Sequence, residues 1–239
     1  MLKSIRFFTF VLVYLNLLFY SYSLETKNSF IWCNNFILGG SFNGKWIDSK
    51  DVFSKITKGD KFKLYNLNGF IQTVYADKPY LDEQCESPSL DMNGYSFDVP
   101  TSESFVAVHS NWNEQPRKAV ALSNDIPVYK ECAKQILASN KIYTSSPSIS
   151  QVFKIDLEGD GVDEVVITLN NVAFEASHLI AKKGDYSAVI LRKIVNGKVK
   201  NILVEGTFYD HIEKRADGFE HSGIFTHKVF NFLDLNGDG

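Results

Sequence analysis

The sequence predicts a mainly β protein with minor α content. Its C-terminal half reads as a β-meander, preceded by a smaller α+β unit. Three observations carry this. Asn196-Gly197 stands between two strand-like runs, and type I′ hairpins favour that dipeptide because both turn residues need positive φ. An acidic, glycine-bearing stretch, Asp156 to Glu164, is set between two other strand-like runs. The longer of two helical patterns begins at Pro127, a residue favoured at the first helical position.

The chain begins with a targeting pattern. Lys3 and Arg6 precede an apolar run from Phe7 to Tyr20, and Ser21-Tyr22-Ser23 offers small residues for cleavage after Ser23. The run is shorter than the roughly 20 apolar residues a spanning helix needs. The expectation is a signal peptide over 1–23, no stable membrane span after cleavage, and a secreted, periplasmic or cell-surface protein. Export bears on Cys33, Cys85 and Cys132, which allow one internal disulfide and leave one thiol. Cys33 with Cys85 is the expected pair, and Cys132 a buried thiol within the helix.

Residues 24–126 form the first unit. Ser29 to Leu38 is an aromatic, apolar run. Gly39-Gly40 and Asn43-Gly44 predict turns. Gly39 to Lys45 matches the first seven residues of a phosphate loop, but Trp46 stands where Ser or Thr should hold Mg²⁺. A glycine-turned hairpin is the better account. Ser49 to Ile56 predicts a short helix capped by Asp48 or Ser49. Lys61 to Leu67 and Gly69 to Tyr75 predict strands. Residues 76–102 predict a long loop with short strands, and Ser104 to His109 a further strand, with His109 structural.

Residues 127–239 form the second unit. Val128, Cys132, Ile136 and Leu137 share one face of a helix ending near Asn140. Thr144 to Ser148 breaks the pattern. Val152 to Ile155, Glu164 to Asn170, Tyr186 to Val195, Lys198 to Tyr209 and Phe225 to Leu233 predict strands.

The chemistry concentrates in Asp156-Leu157-Glu158-Gly159-Asp160-Gly161-Val162-Asp163-Glu164. Acids at alternating positions of a tight loop converge on one point. Hard cations such as Ca²⁺ take six to eight oxygen ligands. Gly161 supplies a turn that a residue with a Cβ resists. Asp234-Leu235-Asn236-Gly237-Asp238-Gly239 begins a second copy. An EF-hand would need a Glu at position twelve, where Ile167 stands.

These residues resemble the calcium loop of FG-GAP or VCBS repeats, the blades of integrin-type β-propellers. The resemblance covers about residues 151–170 and 228–239. It implies Ca²⁺ as cofactor, with Asp156, Glu158 and Asp160 as side-chain ligands, Val162 giving its carbonyl and Glu164 closing the site. It implies Asp234, Asn236 and Asp238 as the start of a second site. Glu158 and Glu164 stand where the pattern has Asp or Asn. The strand set has the count of one blade. One blade and part of another close no ring, so the expectation is an open sheet or a chain continuing past Gly239.

The function expected is an exported, calcium-binding, non-catalytic binding or structural protein, whose partner is a protein or a carbohydrate. The alternative is a secreted hydrolase, using His211, His221 and His227 with Asp210, Glu213 and Glu220 as a metal site, or residues of the N-terminal unit. No nucleophile with a partnered base appears. A net charge of −3 without a Lys/Arg cluster argues against nucleic acid. Composition, 44% hydrophobic and 22% charged, excludes global disorder.

Overall fold

The computed structural model describes residues 28–83, 86–94, 105–172, 181–212 and 225–237. The expected signal peptide over 1–23, Cys85, Glu213, Glu220, His221 and Asp238 lie outside them. The fold is mainly β, with a curled half-barrel and a second antiparallel sheet.

The aromatic run at the start folds back on itself. Strand β1 (Ser29–Cys33) turns at Asn34-Asn35 into β2 (Phe36–Phe42). Both asparagines have positive φ, 47° and 69°, so this is a hairpin within what the sequence suggests is one strand. Asn43 and Gly44 (φ 52° and 72°) then turn β2 into β3 (Lys45–Asp48), as the hairpin reading expects. Gly39 and Gly40 lie inside β2 rather than at a turn. The reason is crowding: a Cβ on Gly40 would stand 2.0 Å from the Ser29 carbonyl oxygen, and one on Gly39 2.6 Å from the Trp46 ring.

Helix α1 (Ser49–Phe53) is capped by Asp48, whose Oδ1 accepts from the backbone N–H groups of Lys50 and Asp51 at 2.9 and 3.0 Å. Strands β4 (Lys61–Asn66) and β5 (Gly69–Ala76) follow. Three two-residue strands come next, β6 (Tyr80–Leu81), β7 (Pro88–Ser89) and β8 (Met92–Asn93), and then β9 (Val106–His109). The sheet order is β6-β7-β2-β1-β9-β4-β5-β8, with β3 on β2. One face buries Phe30, Trp32, Phe62, Leu64, Val74 and Leu90, and Val52 of α1 packs into it. His109 stacks on Phe30 and donates from Nδ1 to the Lys61 carbonyl at 2.8 Å, a structural role.

The second sheet is ordered β10-β11-β12-β13-β14. Its members are β10 (Val120–Ala121), β11 (Ile149–Ile155), β12 (Glu164–Asn170), β13 (Tyr186–Val195) and β14 (Lys198–Phe208). The strand β10 precedes residue 127, so this sheet draws on both expected units. The four strands β11 to β14 form the expected meander. Asn196 and Gly197 have φ of 52° and 71° and close the β13–β14 hairpin. A bulge leaves Val204 without a partner opposite β13.

Helix α2 (Pro127–Ser139) covers one face, setting Cys132, Ala133 and Leu137 against Val152, Ile167, Leu169, Ala188 and Ile190. Val128 is exposed, off the buried face where helical spacing puts it. Cys132 is a buried free thiol. Cys33 is also free, and Cys85, its expected partner, lies outside the described residues. Burial pushes both thiols up in pKa.

Phe225 to Leu233 is not a strand. It crosses the second sheet's other face and binds side chains instead of a neighbouring backbone. Val229 exchanges bonds with the Gln151 amide, at 2.9 Å through its N–H and 3.2 Å through its carbonyl. The His227 N–H donates to Ser187 Oγ at 2.7 Å, and Phe232 meets Phe153 edge-on. The segment continues onto the first sheet, where Leu233 and Leu235 cover Ile31, Val106 and Val108. Among the described residues no helix is long and apolar enough to cross a membrane.

Candidate calcium site

The first acidic loop joins β11 to β12. Its backbone wraps around one carboxylate. Asp156 Oδ1 accepts from the N–H groups of Gly159 and Asp160 at 2.6 and 3.2 Å, and Oδ2 accepts from Gly161 at 3.0 Å. Gly159 and Gly161 take φ of 71° and 83°, conformations that favour glycine. Burial raises the Asp156 carboxyl. The three N–H bonds, with the Arg117 charge, outweigh it and hold the group below the usual carboxylate range.

The remaining predicted ligands have separate partners. Asp160 Oδ1 accepts from the Val162 N–H at 2.9 Å, and Val162 is exposed. Glu164 is 3% exposed, and its Oε2 accepts from the Leu157 N–H at 2.8 Å. Glu158 forms an ion pair with Lys193 of β13. Asp163, the non-ligand position, pairs with Lys154 at 2.7 Å.

The second copy repeats the turn. Asp234 Oδ1 accepts from the Asn236 and Gly237 N–H groups at 3.3 and 2.7 Å, and Gly237 has φ 69°, close to Gly159. Asp234, Leu235 and Asn236 line a cleft of about 170 Å³ with Asp156, Leu157 and Arg117. The two acidic loops, far apart in sequence, therefore face one cleft. Asp238 lies outside the described residues.

The donor chemistry suits a hard cation, since every predicted ligand offers oxygen. The arrangement is a different matter. Among the described residues no three His, Cys, Asp or Glu side chains are grouped as a ligand set. The carboxylates are turned to backbone N–H groups and to Lys193.

Two features escape the sequence patterns. Arg117 donates to the carbonyls of Asp156 (2.5 Å) and Leu157 (3.4 Å), tying the stretch before β10 to the first loop. Glu114 is fully buried, and its carboxylate accepts from Lys63, Tyr65 and Ser110. Burial, then the Glu114 charge and hydrogen bond, pushes the Tyr65 hydroxyl up in pKa. The Glu114 carbonyl accepts from the Asp234 N–H at 2.8 Å, and Trp112 Nε1 donates to the Asp234 carbonyl at 3.0 Å. Neither Glu114 nor Arg117 belongs to a spaced motif, so only their locations disclose them.

His211 Nδ1 meets Asp210 at 2.6 Å, while His227 binds Ser187 through its backbone. Of the described members of the hydrolase alternative, Asp210 and His211 thus form one pair and His227 binds elsewhere, to Ser187. No family model, no curated protein and no solved structure matches this chain.

Proposed function

We propose that this is an exported, calcium-binding protein with FG-GAP/VCBS-like loops and a binding or structural role rather than a catalytic one. The observation that carries the reading is the pair of matching acidic turns on one cleft, built around Asp156 and Asp234. Asp156, Glu158, Asp160, the Val162 carbonyl and Glu164 would hold the first ion. Asp234 and Asn236, with Asp238, would begin the second site. A divalent ion there would offset the repulsion among crowded carboxylates and link the two sheets. A binding role is supported by large side chains left in solvent on the first sheet, notably Trp46 (61% exposed) over Gly39, and Phe70 (56%). The partner is a protein or a carbohydrate.

Calcium binding to the folded state alone raises stability by about 2.7 kcal/mol when the ion is at about 100 times its Kd. Thermal unfolding in calcium and in chelator tests this. The protein should melt higher in calcium, and Asp160→Ala should lose most of that shift. An equal shift in Asp160→Ala and the unchanged protein would reduce the loop to an acidic turn.

A further inference from the structure

Five carboxylates fall between Asp156 and Glu164, close enough to repel one another strongly. Three cationic side chains answer them, each from a different part of the chain. Arg117 binds the loop's carbonyls, Lys154 of β11 pairs with Asp163, and Lys193 of β13 pairs with Glu158. Lys193 differs from Lys154 in two ways. Its partner is a predicted ion ligand, whereas Asp163 is not. Its side chain is also better enclosed, 18% exposed against 43%.

The strand register explains how Lys193 arrives there. Arg192 stands opposite Val165 in the β12–β13 ladder. One residue further along, Lys193 reaches the level of Glu164, where the loop re-enters the sheet. Its ammonium meets the Glu158 carboxylate there, and Glu158 is one of the predicted calcium ligands.

We propose that Lys193 is the resident cation of the acidic loop and competes with a divalent ion for Glu158. The second half of this rests on the calcium reading; the first half does not. Without metal, the ammonium offsets one of the loop's negative charges and keeps Glu158 drawn toward β13. An ion that takes Glu158 must first break the pair, and its apparent affinity falls by the fraction of loops in which Glu158 is already released. The loop would then answer to calcium at abundant, extracellular levels and ignore traces of it.

The test uses calcium chloride in calorimetric titrations, and thermal unfolding in chelator at low salt. Lys193→Gln should bind calcium at least about fivefold more tightly, the low end of ordinary coupling between two sites. Lys193→Arg should stay near the unchanged protein. Lys154→Gln removes the same charge from the same loop, but from Asp163, and should shift affinity less than about twofold. Equal tightening by Lys193→Gln and Lys154→Gln would overturn the competition, because any lost positive charge would then suffice. In chelator, Lys193→Gln and Glu158→Gln should each lower the melting temperature, and the double variant should lower it little further. If no variant binds calcium, the calcium reading fails, and these chelator melts judge the resident cation alone. Unchanged melts there would overturn it.

Discussion

The two acidic loops share one turn and differ in what holds it. Around Asp156 the turn is made locally. Three N–H groups within five residues converge on the carboxylate, and the flanking strands β11 and β12 pair without a break from Gln151 opposite Thr168 to Ile155 opposite Glu164. Around Asp234 the same turn ends a segment with no ladder. Its position is fixed from outside, by the Glu114 carbonyl, by the Trp112 indole and by Ser29 Oγ, which donates to the Leu235 carbonyl at 2.6 Å. A short motif therefore specifies a turn but not its surroundings. One copy is a hairpin connection; the other is a clasp between two sheets.

The comparison breaks most sharply at Glu114. Replacing it by Ala leaves Lys63, Tyr65 and Ser110 without their shared acceptor. Leaving a buried donor without its acceptor costs about 1–3 kcal/mol, and Lys63, a third exposed, regains part of its loss from water. The expected outcome is a large drop in melting temperature. Limited proteolysis should cut the 225–237 segment early while residues 149–208 stay protected. Uniform protection in both regions would mean the second turn holds without the Glu114 network.

A smaller effect is expected at Asp156. Its carboxyl is depressed in the folded chain, so it contributes stability above the unfolded value, about 3.9. That contribution is lost as pH falls through the lower folded value. Asp156→Asn should melt a few degrees lower at neutral pH. It should also lose part of the acid sensitivity seen below about pH 4. Melting curves from pH 2 to 7 check this, and parallel curves for the two proteins would refute it.

Asp163→Ala should have the smallest effect. Its bridge to Lys154 lies at the surface, with both side chains more than 40% exposed, and such pairs contribute about 0–1 kcal/mol. A chemical denaturation midpoint close to that of the unchanged protein is the expected result. A large shift would show that the first loop, too, depends on contacts beyond its own turn.

Much of the fold follows from local chemistry. Asn196-Gly197, the Asp48 cap, the Pro127 helix and the glycines of the first loop all act within a few residues of themselves. Phe225 to Leu233 misleads because its apolar content suits a strand, while Gln151 and Ser187 satisfy its backbone from two strands of the sheet it crosses. The Asn34-Asn35 turn hides inside an aromatic run. Glu114 lies 51 residues from Lys63, and their pairing depends on the whole first sheet. Lys193 is invisible for the same reason: its meeting with Glu158 needs the register of β12 on β13.

The outer rim of the second sheet has a consequence for the protein in company. Strand β14 is 11 residues long and largely exposed, with Val199, Ile202, Leu203 and Val204 in solvent. A straight, apolar border of that length is a template on which further chains could stack into fibrils. The unpaired Val204 interrupts it, since a bulge bends the strand and strengthens its twist. Lys198 and Lys200 add like charges that repel a second rim laid alongside in register. The same strand that completes the meander is thus a poor template for a second copy of itself.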